Sequence, residues 1–459
     1  MDTPCLADTN YKSGDLKLRN RIIVRNLGPI NDLVLDLKSD IQFIIGPQAS
    51  GKSTISKVIY FCKKIRDYTV EYLEKDDSLL KTPENELYVS FLKYVRKQYM
   101  DSFGTTRHYS KEFYVKYEYD FDRYVEIKLD EQRYAKFRFS TEIENEIREL
   151  IKSTYQVYFD NTKGENSYDK LAEKIQLKKM ASRHFREVVS KIFSDDMDIV
   201  YIPAGRSLLS ALSDQLDVVN TSIMDLPMKD FVSMIRTTKV RFGTRLSDMV
   251  ADYVKTVKGQ IKNANVDKAI ELIREILKAD YINDNDGEKL YFSEKQWVKL
   301  IYGSSGQQEA LWILLLLFII ILEDRKSFVI IEEPEAHLYP EAQRGIVELM
   351  SLTANSSKSK LLITTHSPYI MTSANLLIHS GRVGTKVKRG SDSAIIPKAY
   401  RINPGSVSAY KCENDKGFKM ISIIDEETQM MNAGEIDKIS EVINEDTEKL
   451  LDLEIDYGL

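Results

Sequence analysis

Two stretches of this 459-residue chain carry groups whose chemistry suits phosphate. The first, GPQASGKST, runs from Gly46 to Thr54. In such a G-x-x-x-x-G-K-[ST] run the glycines let successive backbone N–H groups converge on one anion. The lysine reaches the β/γ-phosphates and the hydroxyl holds Mg2+. The second stretch, SFVIIEEPEAHLYP, places Glu332 and Glu333 directly after a β-branched apolar run. At the C-terminal edge of a parallel strand, one carboxylate can serve a Mg2+ shell while the next polarises an attacking water. Further on, apolar Leu361 to Ile363 lead through Thr364 and Thr365 to His366, which is placed to donate to a γ-phosphate oxygen.

These groups need rigid elements to bring them together. Ile41 to Ile45 (IQFII) reads as a short buried strand, and Ser53 to Lys64 has apolar residues at helical spacing, so the phosphate loop should open onto a helix N-terminus. Ser327 to Ile331 and Leu361 to Ile363 read as two further buried strands, and Asp198 to Ala204 (DIVYIPA) as another, ending at Gly205-Arg206-Ser207. The run Ala310 to Leu322 (ALWILLLLFIIIL) is too short to span a bilayer and predicts a buried helix.

Over residues 20–60, 196–210 and 295–375 the sequence resembles the ABC/SMC-type ATPases, and within them the OLD-like and RecF-like bacterial group of AAA ATPases. Three strings carry the finer likeness. IIVRNLGPINDLVLDL (Ile22 to Leu37) is similar to the N-F-G-P-I two-strand opening of that group, and IEEPEAHLYP and TTHSPYI are similar to its later motifs. The resemblance implies an α/β fold: an ABC-type P-loop nucleotide-binding core with an antiparallel β opening, a helical lobe and an α+β insertion.

It also implies ATP and Mg2+ as cofactors and assigns residues to them. Gly46, Pro47, Gln48, Ala49, Ser50 and Gly51 would form the loop, with Lys52 on the β/γ-phosphates, Ser53 on Mg2+ and Thr54 near the α-phosphate. Glu332 takes the Mg-side position, Glu333 the catalytic one, and His366 the switch. Where the signature motif usually reads L-S-G-G-Q, Gly303 is followed by Ser304, Ser305, Gly306 and Gln307. Ser304 and Gly306 would thereby bind the γ-phosphate of a facing subunit. Three departures stand out: Glu332 for the commoner Asp, Ser305 for a glycine, and Gln48-Ala49 where related loops read Asn-Gly. The extra methylene of Glu332 makes a water-mediated Mg2+ contact at least as good a fit as a direct one. In related folds the Q-loop occupies the position of Gly205-Arg206-Ser207. No Gln stands there, which makes Arg206 the candidate sensor of the γ-phosphate or of an interface, the alternative being a structural ion pair.

The expected organisation is one composite domain: core residues 1–61, an α+β insertion at 62–195, a core strand at 196–206, a helical lobe at 207–300, core again at 301–424 and an acidic C-terminal helix at 425–459. Within the insertion, Glu112–Tyr119, Tyr124–Leu129 and Tyr134–Phe139 predict an antiparallel meander, followed by helices from Glu142 to Ile192. Lys174, Lys178, Lys179, Arg183 and Arg186 make a basic face there, more often a solvated face than a nucleic-acid contact. Tyr281 to Phe292 predicts a hairpin around Asn285-Asp286-Gly287. No run of heptads supports a long coiled coil. The last 35 residues hold twelve Asp or Glu against two Lys in a chain of net charge −5. Ile436, Ile439, Val442, Ile443, Leu450 and Leu451 give that segment an apolar stripe, for packing on its own domain or for docking a partner.

Composition narrows the classes. Cys5, Cys62 and Cys412 lie far apart, which argues against a zinc site and for a reducing, cytoplasmic setting, and no export signal is visible at the start. A transporter ATPase fits neither the motif strings nor the inserts. A nuclease of the OLD type would need a D-x-D after His366, whereas Ser391-Asp392-Ser393 supplies one carboxylate only. The expectation is a stand-alone ATPase, dimeric or higher, without membrane contact, that controls a separate effector protein as ATPase subunits of antiphage defence systems of the Septu and PARIS type do. The alternative is a RecF-like repair ATPase that binds DNA directly.

Overall fold

The computed structural model describes residues 20–75, 81–162, 182–211, 221, 224–256, 263–386, 395–414, 417–432, 434 and 443–451. β1 (Arg21–Leu27) and β2 (Ile30–Asp36) pair antiparallel across the Gly28-Pro29 turn, with Leu27 opposite Ile30. β3 (Ile41–Ile45), buried at every position, leads into the phosphate loop and α1 (Lys52–Leu73). Next come α2 (Leu87–Phe103), β4 (Tyr114–Glu118), β5 (Tyr124–Leu129), β6 (Ala135–Phe139) and α3 (Thr141–Thr162). A helix over 182–192 precedes β7 (Asp198–Ile202) and the short α4 (Arg206–Ala211). The helical lobe holds α5 (Leu226–Lys239), α6 (Leu246–Thr256) and α7 (Asn263–Leu277), followed by β8 (Asp280–Asp284), β9 (Gly287–Tyr291) and β10 (Trp297–Lys299). The chain then forms α8 (Ser305–Leu322), β11 (Ser327–Glu332), α9 (Pro340–Ser357), β12 (Lys360–Thr365), α10 (Pro368–Gly384), β13 (Val407–Glu413) and β14 (Lys419–Ser422).

The central sheet has the order β14-β13-β3-β12-β11-β7. Its strands from β13 to β7 run parallel, and β14 closes the edge antiparallel. Parallel strands covered on both faces should read as near-continuous apolar runs, and the centres of β11 and β12 do, as does β3 apart from Gln42, whose amide donates to the Asp36 carbonyl and Ser408 Oγ. Phe43, Ile331 and Ile363 face the core around α8, whereas Ile44, Ile330 and Leu362 face the core around α1. The period of two in the strands thus sends alternate residues to two different cores. Among the described residues one helix, Ser305–Leu322, has the length and apolarity of a membrane span, and 78% of it is buried inside the protein. It is the central helix of the larger core. Its Trp312 is wholly buried, and truncating such a side chain to Ala costs about 3–5 kcal/mol.

The predicted meander is present, but it does not stand alone. β4 pairs with β1, giving a single antiparallel sheet in the order β2-β1-β4-β5-β6. The boundary expected at residue 61 falls inside α1, which stays buried through Leu73 because Phe61 packs against Tyr99 and Tyr72 against Phe91 of α2, with Tyr68 against Phe61. At the other end, Ile423 and Met431 still belong to the larger core, so packed chain runs past residue 424. The helix over 443–451 is exposed throughout. Arg183 and Arg186 lie on the helix over 182–192, whereas Lys174, Lys178, Lys179, Ile436, Ile439, Val442, Ser391 to Ser393 and Cys5 lie outside the described residues.

Candidate active site

Gly46 follows β3 with φ 146°, and a Cβ on it would sit 2.3 Å from the Cys412 carbonyl oxygen of β13. Only glycine fits there. Ala49 at φ 59° and Gly51 at φ 95° complete the turn, and Gly51 caps α1 with no side chain accepting from the first helical N–H groups. Those groups and the helix dipole are thus left for an anion. Pro47, Gln48, Ala49 and Ser53 are exposed along the loop, Thr54 is half-buried, and Ser50 is buried. Lys52 Nζ folds back onto the loop, donating to the Gly46 and Pro47 carbonyls at 2.8 Å each. Burial holds its ammonium below the usual value, against the pull of Cys412, Glu333, Glu335 and Glu332.

The paired strands align the carboxylates with that loop. β12 lies between β3 and β11, with Thr365 opposite Ile45 and Thr364 opposite Glu332. His366, Glu332 and the phosphate loop therefore emerge at one sheet edge, where ligands of open α/β sheets bind. Glu333 takes a left-handed φ of 45°, rare for a non-glycine residue, and its N–H donates to the Thr364 carbonyl at 2.9 Å. Such backbone strain persists where surrounding structure imposes it, often at reacting centres. The His366 side chain holds the Glu333 carboxyl below the ordinary glutamate range. Glu335 behaves in the opposite way. Burial pushes its carboxyl up, and one oxygen accepts the His366 N–H at 2.6 Å.

Three buried oxygens here make no hydrogen bond of good geometry to the protein, Ser50 Oγ, Glu332 Oε1 and Glu335 Oε2, although the Glu332 carboxylate lies near the Tyr201 hydroxyl and that of Glu335 near Thr365. Orphaned acceptors at the mouth of a phosphate loop suit a hard cation with water ligands. Among the described residues no cluster of three or more His, Cys, Asp or Glu could hold a metal alone. Mg2+ takes one or two protein ligands and completes its shell from phosphates and water. Ser53 and Glu332 are the residues that would hold it.

At the signature, Ser304 caps α8: its Oγ accepts from Gln307 N, while Gln307 Oε1 accepts from Ser304 N at 2.9 Å. Gln307 Nε2 donates to Leu277 O at 2.7 Å, so this side chain shapes the turn and does not face outward. Ser304 and Ser305 are exposed, and Gly306 is half-buried. A Cβ at Gly306 would lie 2.8 Å from the His337 carbonyl, so a glycine is required for the signature turn to touch the loop after Glu335. For Arg206 the sequence leaves two roles open, a sensor and a structural ion pair. Its guanidinium is wholly buried beneath the site, bound to backbone carbonyls and to Glu309, and has no face toward a phosphate. The structural ion pair is what the geometry shows. Sequence reasoning gave no part to Glu309, a lone glutamate in an apolar helix, or to the Cys412 carbonyl.

A model of the AAA ATPase domain family matches residues 19–371, and the chain belongs to that family. The match spans the phosphate loop, the signature, both glutamates and His366. Among solved structures, an SMC head bound to the C-winged helix domain of ScpA is similar at 11% identity and TM-score 0.42, covering 88% of this chain and 97% of that one. The SMC head domain from Thermotoga maritima is similar at 8% identity and TM-score 0.38, covering 89% of this chain and 99% of that one. No curated protein matches.

Proposed function

We propose that this chain is a Mg2+-dependent ATPase that hydrolyses ATP between two copies of itself and uses the nucleotide state to control a separate effector. The observation that carries this reading is the convergence of an uncapped phosphate loop, a charged Glu333 and the orphaned Glu332 oxygen at one sheet edge. In the bound state Lys52 would leave the Gly46 and Pro47 carbonyls for phosphate oxygens. Glu333, kept ionised, would orient the attacking water, and His366 would steady the γ-phosphate. A cleft of about 450 Å3 beside Thr54, lined by Asn26, Asn31, Phe103, His108 and Tyr109, lies where ribose and base would extend from the α-phosphate. Part of the 62–195 segment would thus serve the nucleotide directly.

The signature supports the shared site. Ser304 and Ser305 are exposed at the start of an eighteen-residue helix, and exposed Tyr302, Tyr339 and Tyr369 flank the signature, the loop after Glu335 and His366. A second copy could bring its γ-phosphate to that surface. The role as regulatory subunit of an antiphage defence system rests on the sequence resemblance. The test compares Lys52→Ala with Glu333→Gln. The first should lose ATP binding, and the second should keep ATP and stall turnover. Normal turnover by Glu333→Gln would move the catalytic role to Glu335 or His366. Co-purification with the product of a neighbouring gene tests effector control, and a gel shift with DNA at near-physiological salt instead would favour direct DNA binding.

A further inference from the structure

Arg206 joins three parts of the site that are far apart in sequence. Its Nη1 donates to the Glu332 carbonyl at 2.7 Å and to the Pro203 carbonyl at 2.6 Å, and its Nη2 donates to the Glu333 carbonyl at 2.9 Å. Its Nε donates to the Glu309 carbonyl at 2.9 Å and lies 3.3 Å from the Glu309 carboxylate. Glu309, itself 2% exposed, returns the connection, accepting from Arg206 N at 3.1 Å and Ser207 N at 3.0 Å. The Gln308 carbonyl adds a third tie by accepting from Ser210 Oγ at 2.8 Å. Both Gln308 and Glu309 sit in the first turns of α8, just behind the Ser304 cap.

We propose that Arg206 and Glu309 form a brace that couples the position of the signature helix to the two glutamates, making Arg206 a positioning residue for hydrolysis. A planar guanidinium can hold two successive carbonyls and a third partner at fixed angles, which a single ammonium cannot do. The Glu332 and Glu333 carbonyls belong to the residues whose carboxylates would hold Mg2+ and orient water. Moving the guanidinium therefore moves both side chains together. Burying such a pair adds little net stability over well-packed apolar groups, whereas a displacement of about 1 Å at a reacting centre can cost about a hundredfold in rate. A phosphate drawn to Ser304 would pull on α8, and the brace carries that movement to Glu333.

This inference rests on the ATPase reading, and two separate readouts keep them distinguishable. In the full-length chain, Arg206→Lys retains the charge but loses the fork. It should leave ATP affinity at saturating Mg2+ within about threefold of wild type and lower kcat at least about tenfold with KM little changed. It should also raise several-fold the Mg2+ concentration needed for half-maximal nucleotide binding, because Glu332 is displaced. That second readout needs no turnover. A wild-type chain that binds ATP without hydrolysing it would sink the ATPase reading and leave the Mg2+ shift to judge the brace. Wild-type turnover together with unchanged kcat and unchanged Mg2+ dependence in Arg206→Lys would overturn the brace alone. If Arg206→Lys does not fold, Glu309→Gln, which keeps the side-chain shape but removes the charge and sets an NH2 donor against one of the Arg206 and Ser207 N–H groups, should show the same selective loss of kcat. A Glu309→Gln protein with wild-type kcat and Mg2+ dependence would overturn the proposal.

Discussion

His366 Nε2 stands 3.4 Å from a carboxylate oxygen of Glu333, two groups that reach each other from neighbouring parallel strands. This contact, followed by burial and by the fields of Lys52 and Arg206, sets the ionisation of Glu333, and the contact with His366 is the largest influence.

The sign follows for pH. A carboxylate held below its ordinary range stays ionised as pH falls and loses charge only in more acid solution. The acid limb of kcat/KM should therefore lie below the ordinary glutamate range, and His366→Ala should move it to higher pH because the strongest influence lowering the Glu333 pKa is gone. Profiles over roughly pH 3 to 8 for wild type and variant measure this. An acid limb that does not move assigns it to another group.

The phosphate loop makes a prediction about stability. Gly46→Ala places a methyl 2.3 Å from the Cys412 carbonyl at a φ of 146°, so loop or strand must shift. The loss should be about 1–3 kcal/mol, read as a lower Tm, with weaker ATP binding. Gly405→Ala is the matched control, since its nearest neighbour would be 4.0 Å away. It should stay within about 0.5 kcal/mol of wild type. Equal Tm values for the two variants would show that the loop relaxes freely.

Much of this site was legible because its parts are local. Strands buried on both faces appear as IQFII, FVII and LLI, and the loop glycines announce their own backbone needs. What the sequence did not give is pairing between distant segments. β4 alternates like any half-buried strand, and nothing in YVKYE states that it joins β1. VSAYKCE of β13 was not foreseen as the neighbour of β3, although its Cys412 carbonyl is what excludes a side chain at Gly46. Arg206 stays open between sensor and ion pair for a related reason. A guanidinium after a strand looks the same in sequence whether it faces solvent or is sealed against Glu309.

The shared-site reading predicts complementation. In a dimer of a Lys52→Ala chain and a Ser304→Arg chain, one site would combine both lesions and the other would have an intact phosphate loop facing an intact signature. Mixed dimers should recover turnover that neither parent shows. Losing the Ser304 cap costs about 1 kcal/mol, so the parent chain should remain folded. Proven mixed dimers as inactive as both parents would mean that the sites are strictly coupled or that the shared-site model is wrong.

The last prediction concerns how nucleotide state leaves the molecule. The helix over 443–451 exposes Ile443 at 56%, Leu450 at 62% and Leu451 at 51%, on a segment rich in Asp and Glu. By contrast, Asn375 holds Met431 through two hydrogen bonds of 2.7 and 2.8 Å, so the chain is anchored up to that residue. Cutting after residue 433 should therefore remove an exposed apolar stripe without opening the core. Deleting 434–459 is expected to leave ATP turnover and Tm close to wild type while abolishing effector binding or the cellular phenotype. The comparison needs turnover, Tm and effector co-purification measured on the same preparation. A truncated chain that is soluble and still binds its effector would remove the helix from this role. A chain that is insoluble would show that the helix belongs to the fold, making residues 62–195 the docking surface to test next.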